Sequence, residues 1–97
     1  MADLIVHFKK PADWAKRIYI HFWEAYPEAG NTKWPGIRMI DEGNGWFTYQ
    51  FDGFSTSHLL FHDGRGRQTN DLYRDHPGWY ILDGGWFDDN PDAQAES

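Results

Sequence analysis

From Leu4 to Phe8 the side chains alternate, with Leu4, Val6 and Phe8 on one side and Ile5 and His7 on the other. That period of two is the mark of a half-buried strand, and Lys9-Lys10-Pro11-Ala12-Asp13 breaks it. The clearest strand runs from Arg17 to Trp23: Ile18, Ile20 and Phe22 take one face, and Tyr19, His21 and Trp23 the other. Glu24 to Pro35, with Pro27, Gly30 and Asn31, reads as a long loop. Gly36–Ile40 and Trp46–Phe51 are expected as strands joined through Asp41-Glu42-Gly43-Asn44-Gly45, because Asn-Gly tolerates the positive φ of a tight hairpin. Further strands are expected over Ser57–His62, near Leu72–Arg74 and over Trp79–Leu82, and Gly84-Gly85 turns the chain again. About seven short strands with regularly spaced turns, and no convincing helical period, predict an all-β fold, an antiparallel β-sandwich. Its core is expected to hold Val6, Phe8, Ile18, Ile20, Phe22, Phe47, Tyr49, Leu59 and Phe61.

The chain has 97 residues, the size of one domain with one core. The expected organisation is a single module over 1–87 and an acidic tail or linker remnant over 88–97, disordered in solution. There is no cysteine, hence no disulfide or thiolate metal site. The start, Met1-Ala2-Asp3-Leu4-Ile5-Val6, has no basic stretch leading into a long apolar run and reads as the beginning of a module cut from a longer protein. No segment approaches 18 apolar residues, so a membrane partner is not expected.

Charge narrows the partners. The formal net charge is −6, but Asp88, Asp89, Asp92 and Glu96 supply four of the acids, leaving 11 acids against 9 bases in the body. A near-neutral body lacks the basic stripe that a nucleic acid requires and suits an uncharged ligand. Aromatic content points the same way: at 19%, with six Trp, five Tyr and seven Phe, a core this small cannot hide every indole. About half of the tryptophans are expected at the surface.

Three stretches are candidates for recognition. On the second strand, Tyr19, His21 and Trp23 oppose an apolar face and are therefore the wetter side. Indoles stack on the flat C–H faces of pyranose rings while the hydroxyls reach sideways. In Asn31-Thr32-Lys33-Trp34-Pro35-Gly36, a tryptophan stands in a polar loop stiffened by the adjacent proline. Gln68-Thr69-Asn70-Asp71 offers amide donors and acceptors of the kind that sugar hydroxyls need in pairs. Each stretch has a plainer reading: rings covered by a loop, a plug over the end of the sandwich, a solvated turn.

Other chemistries fit poorly. His58 and His62 lie four apart on a strand, roughly 13 Å at about 3.3 Å per residue, too far to share one zinc. No His-Glu-x-x-His or EF-hand loop occurs, so neither a metal nor another cofactor is expected, a calcium ion near Asp63 or Asp71 being the one alternative left open. Fifteen acids guarantee some carboxylate pairs, yet nothing marks the gripping groove of a glycosidase. Gly64-Arg65-Gly66-Arg67 lacks the Gly-Lys-Ser/Thr ending of a phosphate loop and precedes no helix.

Val6-His7-Phe8-Lys9-Lys10-Pro11, Trp14, Ile18-Tyr19-Ile20-His21-Phe22-Trp23, Trp34-Pro35-Gly36, Met39, Gly43-Asn44-Gly45-Trp46-Phe47-Thr48-Tyr49 and Gln68-Thr69-Asn70-Asp71-Leu72 occur in an order and spacing that resembles family 26 of the starch-binding carbohydrate-binding modules, and more distantly family 25. The resemblance covers nearly all of residues 4–87. It implies an immunoglobulin-like β-sandwich that binds α-1,4-glucan without catalysis, as a monomeric unit of a larger secreted, extracellular amylase or related starch-degrading enzyme. It also implies a carbohydrate-binding set of His21, Trp23, Trp34, Lys33 and Gln68. Family 26 usually carries tyrosines on the strand, and His21 with Trp23 is similar to family 25 instead. The competing expectation is a structural or adhesive β-sandwich whose aromatics face a neighbouring domain.

Overall fold

The computed structural model describes residues 4–27, 31–34 and 36–91. Pro35 and residues 92–97 of the expected tail lie outside the described residues. Nine strands follow in order: β1 (Leu4–Lys9), β2 (Tyr19–Tyr26), β3 (Ile37–Arg38), β4 (Ile40–Asp41), β5 (Trp46–Phe51), β6 (Thr56–His62), β7 (Leu72–Arg74), β8 (Gly78–Ile81) and β9 (Gly85–Phe87). They form a five-stranded sheet, β4-β5-β1-β8-β9, and a four-stranded sheet, β3-β2-β6-β7. All neighbours are antiparallel except β1 and β8, which pair in parallel.

The alternating side chains of β1, β2, β5 and β6 meet between the two sheets. Val6, Phe8, Ile18, Ile20, Leu59 and Phe61 are fully buried, as is nearly all of Phe22 and Phe47, while Tyr49 packs half-buried against them. Phe8 stacks on Phe61 across the gap with centroids 4.5 Å apart, and Phe22 meets Phe51 at 4.6 Å. Trp14 closes one end of this core, 5.2 Å from Phe8. A strand gains most from β-branched and aromatic residues when they pack on a second layer, and here each sheet supplies that layer to the other.

Three expectations are corrected. The segment expected as one strand over Gly36–Ile40 is two: Ile37 and Arg38 pair with β2, whereas Ile40 and Asp41 pair with β5 in the other sheet. The buried Met39 marks the crossing, and its N–H donates to Ile18 O at 2.8 Å. The second strand does not end at Trp23. A bulge at Glu24, whose φ is +54°, carries the chain on to Tyr26 opposite Thr56, with Ala25 buried. Gly85 is not only a turn residue but the first of β9, which pairs with β8. Trp46, on the outward parity of β5, is nonetheless fully buried, and the Lys9 ammonium lies 5.5 Å from its ring centre.

Candidate functional site

The four-stranded sheet turns its outer face away from the core, and β2 lies inside it with β3 on one side and β6 on the other. Because β2 alternates, Tyr19, His21 and Trp23 share that outer face. Register then selects their neighbours: Tyr19 pairs with His62, His21 with Leu60, Trp23 with His58, and His58 in turn with Tyr73 of β7.

A row of rings results. From Tyr73 the centroid distances run 5.0 Å to His58, 5.9 Å to Trp23, 5.7 Å to His21, 5.4 Å to Trp34, 4.3 Å to His62 and 5.2 Å to Tyr19. Trp34, which the chain supplies from a loop, is 57% exposed and fills the gap between His21 and His62. It lies nearly parallel to His62 (17°) and edge-on to His21 (72°), while His21 and Trp23 are tilted by 33°. The rings therefore make an angled seat rather than one flat plane.

The loop that carries Trp34 is fastened to β2 just ahead of it. Thr32 N–H donates to Phe22 O at 2.9 Å, and Thr32 Oγ1 accepts from Phe22 N–H at 3.0 Å. The same hydroxyl lies 2.7 Å from His21 Nδ1, which fixes the imidazole and leaves Nε2 as its outward nitrogen. Asn31 Oδ1 accepts from Glu24 N–H at 2.7 Å, so the bulge on β2 serves as the second anchor. After Trp34 the chain passes directly over β2. Gly36 has φ +95°, and a Cβ there would sit 2.1 Å from Ile20 O, so only glycine fits.

Gln68 arrives from the opposite side. It bridges to His62 and, with Tyr19, Trp34, His62 and Arg67, walls a cavity of about 310 Å³ at the end of the row. His62 Nδ1 accepts from Gly64 N–H at 3.0 Å, which orients the ring beneath Trp34. Partial burial and then the neighbouring His62 hold the His21 pKa below the ordinary histidine range, so His21 is the neutral, hydrogen-bonding form near neutral pH.

Of the residues expected from the sequence, His21, Trp23 and Trp34 thus stand together, and Gln68 shares the cavity with Trp34. Lys33 is exposed beside Trp34; its carbonyl accepts from Gly36 N–H at 2.6 Å, and its side chain is not in the wall of that cavity. His62 and Arg67 were not among the expected site residues, and Tyr19 was expected only as part of the wetter face of the second strand. Tyr19 was read from the alternating face that it shares with His21, whereas His62 joins through the β2–β6 register, which no local pattern displays. Among the described residues, no group of three or more His, Asp or Glu side chains is placed to hold a metal. No helix there is long and apolar enough to cross a membrane.

The profile of the family described as "Starch-binding module 26", CBM26, matches residues 6–74. The chain belongs to that family. Solved structures agree: CBM26 of a Bacillus halodurans amylase is 27% identical over 93% of this chain and 95% of its own, with a TM-score of 0.83. The same module in complex with maltose is 28% identical over 91% and 99%, with a TM-score of 0.79. CBM25 of a Bacillus halodurans amylase, in complex with maltotetraose, shares the fold at 22% identity and a TM-score of 0.67, covering 93% of this chain and 99% of its own. The comparison with curated protein sequences returned no match. CBM26 modules are carbohydrate-binding units of the β-sandwich class, and the ring row lies on the outer face of one of the two sheets.

Proposed function

We propose that this CBM26 module is non-catalytic and holds α-1,4-glucan chains against Trp34 and Trp23, with His21 hydrogen-bonded to a sugar hydroxyl between them and Gln68 and Lys33 at the edge. The observation that carries the reading is the angled ring row, in which a half-exposed Trp34 is braced from behind by His62 and from the side by His21. A pyranose stacks on an indole that is already held in place, so little ordering is required of the protein. An α-1,4 chain coils, and its adjacent rings turn relative to one another as the seat does. A β-1,4 chain presents flat alternating faces and meets the seat on one ring only. The maltose bound by the Bacillus halodurans relative is of the same ligand class.

The proposed setting is a single module, monomeric, within a larger secreted bacterial amylase or related starch-degrading enzyme acting outside the cell. The test is a calorimetric titration of the chain with maltoheptaose and with a cellooligosaccharide of similar length, beside affinity electrophoresis in soluble starch. Binding and retardation are expected for the α-glucan alone, with no release of reducing sugar on incubation. Unchanged migration in starch would favour a structural interaction module and sink the platform reading.

A further inference from the structure

Next to the platform cavity lies a larger one, about 760 Å³, and the two share Tyr19, Gly64 and Arg67 in their walls. Its other charged walls are Lys16, Arg17, Arg65, Asp13 and Asp63. Four cations thus face two carboxylates, a local excess of positive charge on a chain whose net charge is −6. The carboxylates are both engaged: Asp13 accepts from Arg67, and Asp63 is buried with its oxygens on backbone N–H groups. Among the described residues, the side chains of Lys16, Arg17 and Arg65 make no ion pair or hydrogen bond with the protein.

These cations come from two separate loops, and one carboxylate holds both loops in place. Asp63 Oδ2 accepts from Ala15 N–H at 3.0 Å, and Oδ1 from Arg65 N–H at 2.7 Å and Arg67 N–H at 3.2 Å. The segment bearing Lys16 and Arg17 and the segment bearing Arg65 and Arg67 are therefore fixed against each other across the cavity. Unpaired guanidinium and ammonium groups, carried here on backbone segments that Asp63 holds together, are the donors that recognise phosphate oxygens.

We propose that this cleft seats a phosphate monoester borne by the glucan whose rings lie on the platform, so that the module distinguishes phosphorylated from unmodified α-glucan. The proposal rests on the platform reading, because the shared Tyr19–Gly64–Arg67 wall is what brings a substituent of a stacked glucose to the cations.

The experiment titrates the whole chain with maltoheptaose and with maltoheptaose carrying one 6-phosphate, at about 20 mM and about 300 mM salt, where the screening length falls several-fold. The parent is expected to favour the phosphorylated ligand by about tenfold at the lower salt and by much less at the higher. The triple variant Lys16→Gln, Arg17→Gln, Arg65→Gln changes only exposed side chains. It should bind unmodified maltoheptaose as the parent does and show no preference. Equal affinity of the parent for the two ligands, or a preference that survives in the triple variant, would overturn this proposal and leave the platform untouched. Absence of unmodified maltoheptaose binding in the parent would overturn the platform, and this inference with it. Inorganic phosphate, titrated alone, separates the free anion from the sugar-borne one: saturation at the same concentration as the phosphorylated sugar would overturn the glucan-borne assignment.

Discussion

Replacing Trp34 with alanine tests the platform most directly. The indole is 57% exposed, and of the roughly 250 Å² that a tryptophan can bury about 140 Å² remains open. His62 already covers one face at 4.3 Å, so a stacked glucose covers the other, about 60 Å² of ring. At about 25 cal/mol per Å² that is roughly 1.5 kcal/mol, and 1.4 kcal/mol corresponds to a factor of ten. Trp34→Ala should therefore weaken maltoheptaose binding about tenfold or more, and Trp34→Phe, with a smaller face, about threefold. Stability should fall by only about 1 kcal/mol, the value of the lost stack on His62, because the rest of the side chain faces water. Calorimetric titration of each variant, with a denaturant melt to establish folding, reads both quantities. Trp23→Ala should behave similarly, since Trp23 lies on the same row. If folded Trp34→Ala and Trp23→Ala both bind like the parent, sugars are held elsewhere and the reasoning fails.

Three further outcomes are expected. Thr32→Val keeps the shape but removes the hydroxyl that meets Phe22 N–H and His21 Nδ1; it should cost about 1–2 kcal/mol of stability and weaken binding severalfold, with Thr32→Ser restoring both in melts and titrations. Burial raises the Asp63 pKa, but the backbone N–H groups of Ala15, Arg65 and Arg67 outweigh it and leave it below the ordinary range. Its stabilisation should then be complete above about pH 4 and disappear as the pH falls through the lower native value; thermal melts of Asp63→Asn from neutral to strongly acid pH should show a shallower acid slope, and a slope equal to the parent's would count against this account. Trp14→Ala should lose about 3–5 kcal/mol by opening the core beneath Phe8, while binding per folded molecule, measured by titration below the melting range, stays unchanged.

The two sheets were legible where a strand buries one face. Leu4–Phe8 and Tyr19–Trp23 show a clean alternation because the partner sheet demands it, and the face carrying His21 and Trp23 was identified by what it lacks. Two-residue strands carry no period, so β3 and β4 could not be told apart before Met39 was seen to cross between sheets. The bulge at Glu24 was hidden for a related reason: one extra residue inverts the parity, and Ala25 then looks like loop. Trp34 and Gln68 were visible as aromatic and amide in polar loops. His62 was not, because its place beneath Trp34 depends on its pairing with Tyr19, 43 residues away in sequence, and alone it invites only a metal reading. Trp46 shows the converse, since outward parity and an indole suggest exposure, whereas Lys9 lies across the ring.

The fastening of the Trp34 loop to β2 through Thr32 and Asn31 bears on kinetics. A seat built in advance has no closing step, so encounter should proceed at the ordinary docking rate of about 10⁵–10⁷ M⁻¹s⁻¹. An open seat that desolvates one side of a sugar gives a Kd on the order of 10 μM to 1 mM. Together these place dissociation near ~10–1,000 s⁻¹ for a rate constant of about 10⁶ M⁻¹s⁻¹. Each residence then lasts milliseconds to about a tenth of a second, short enough for release and rebinding at the next glucose units along the same chain. A tethered catalytic partner would be kept within reach of the polymer by the high local concentration of such sites, without being arrested at any one of them.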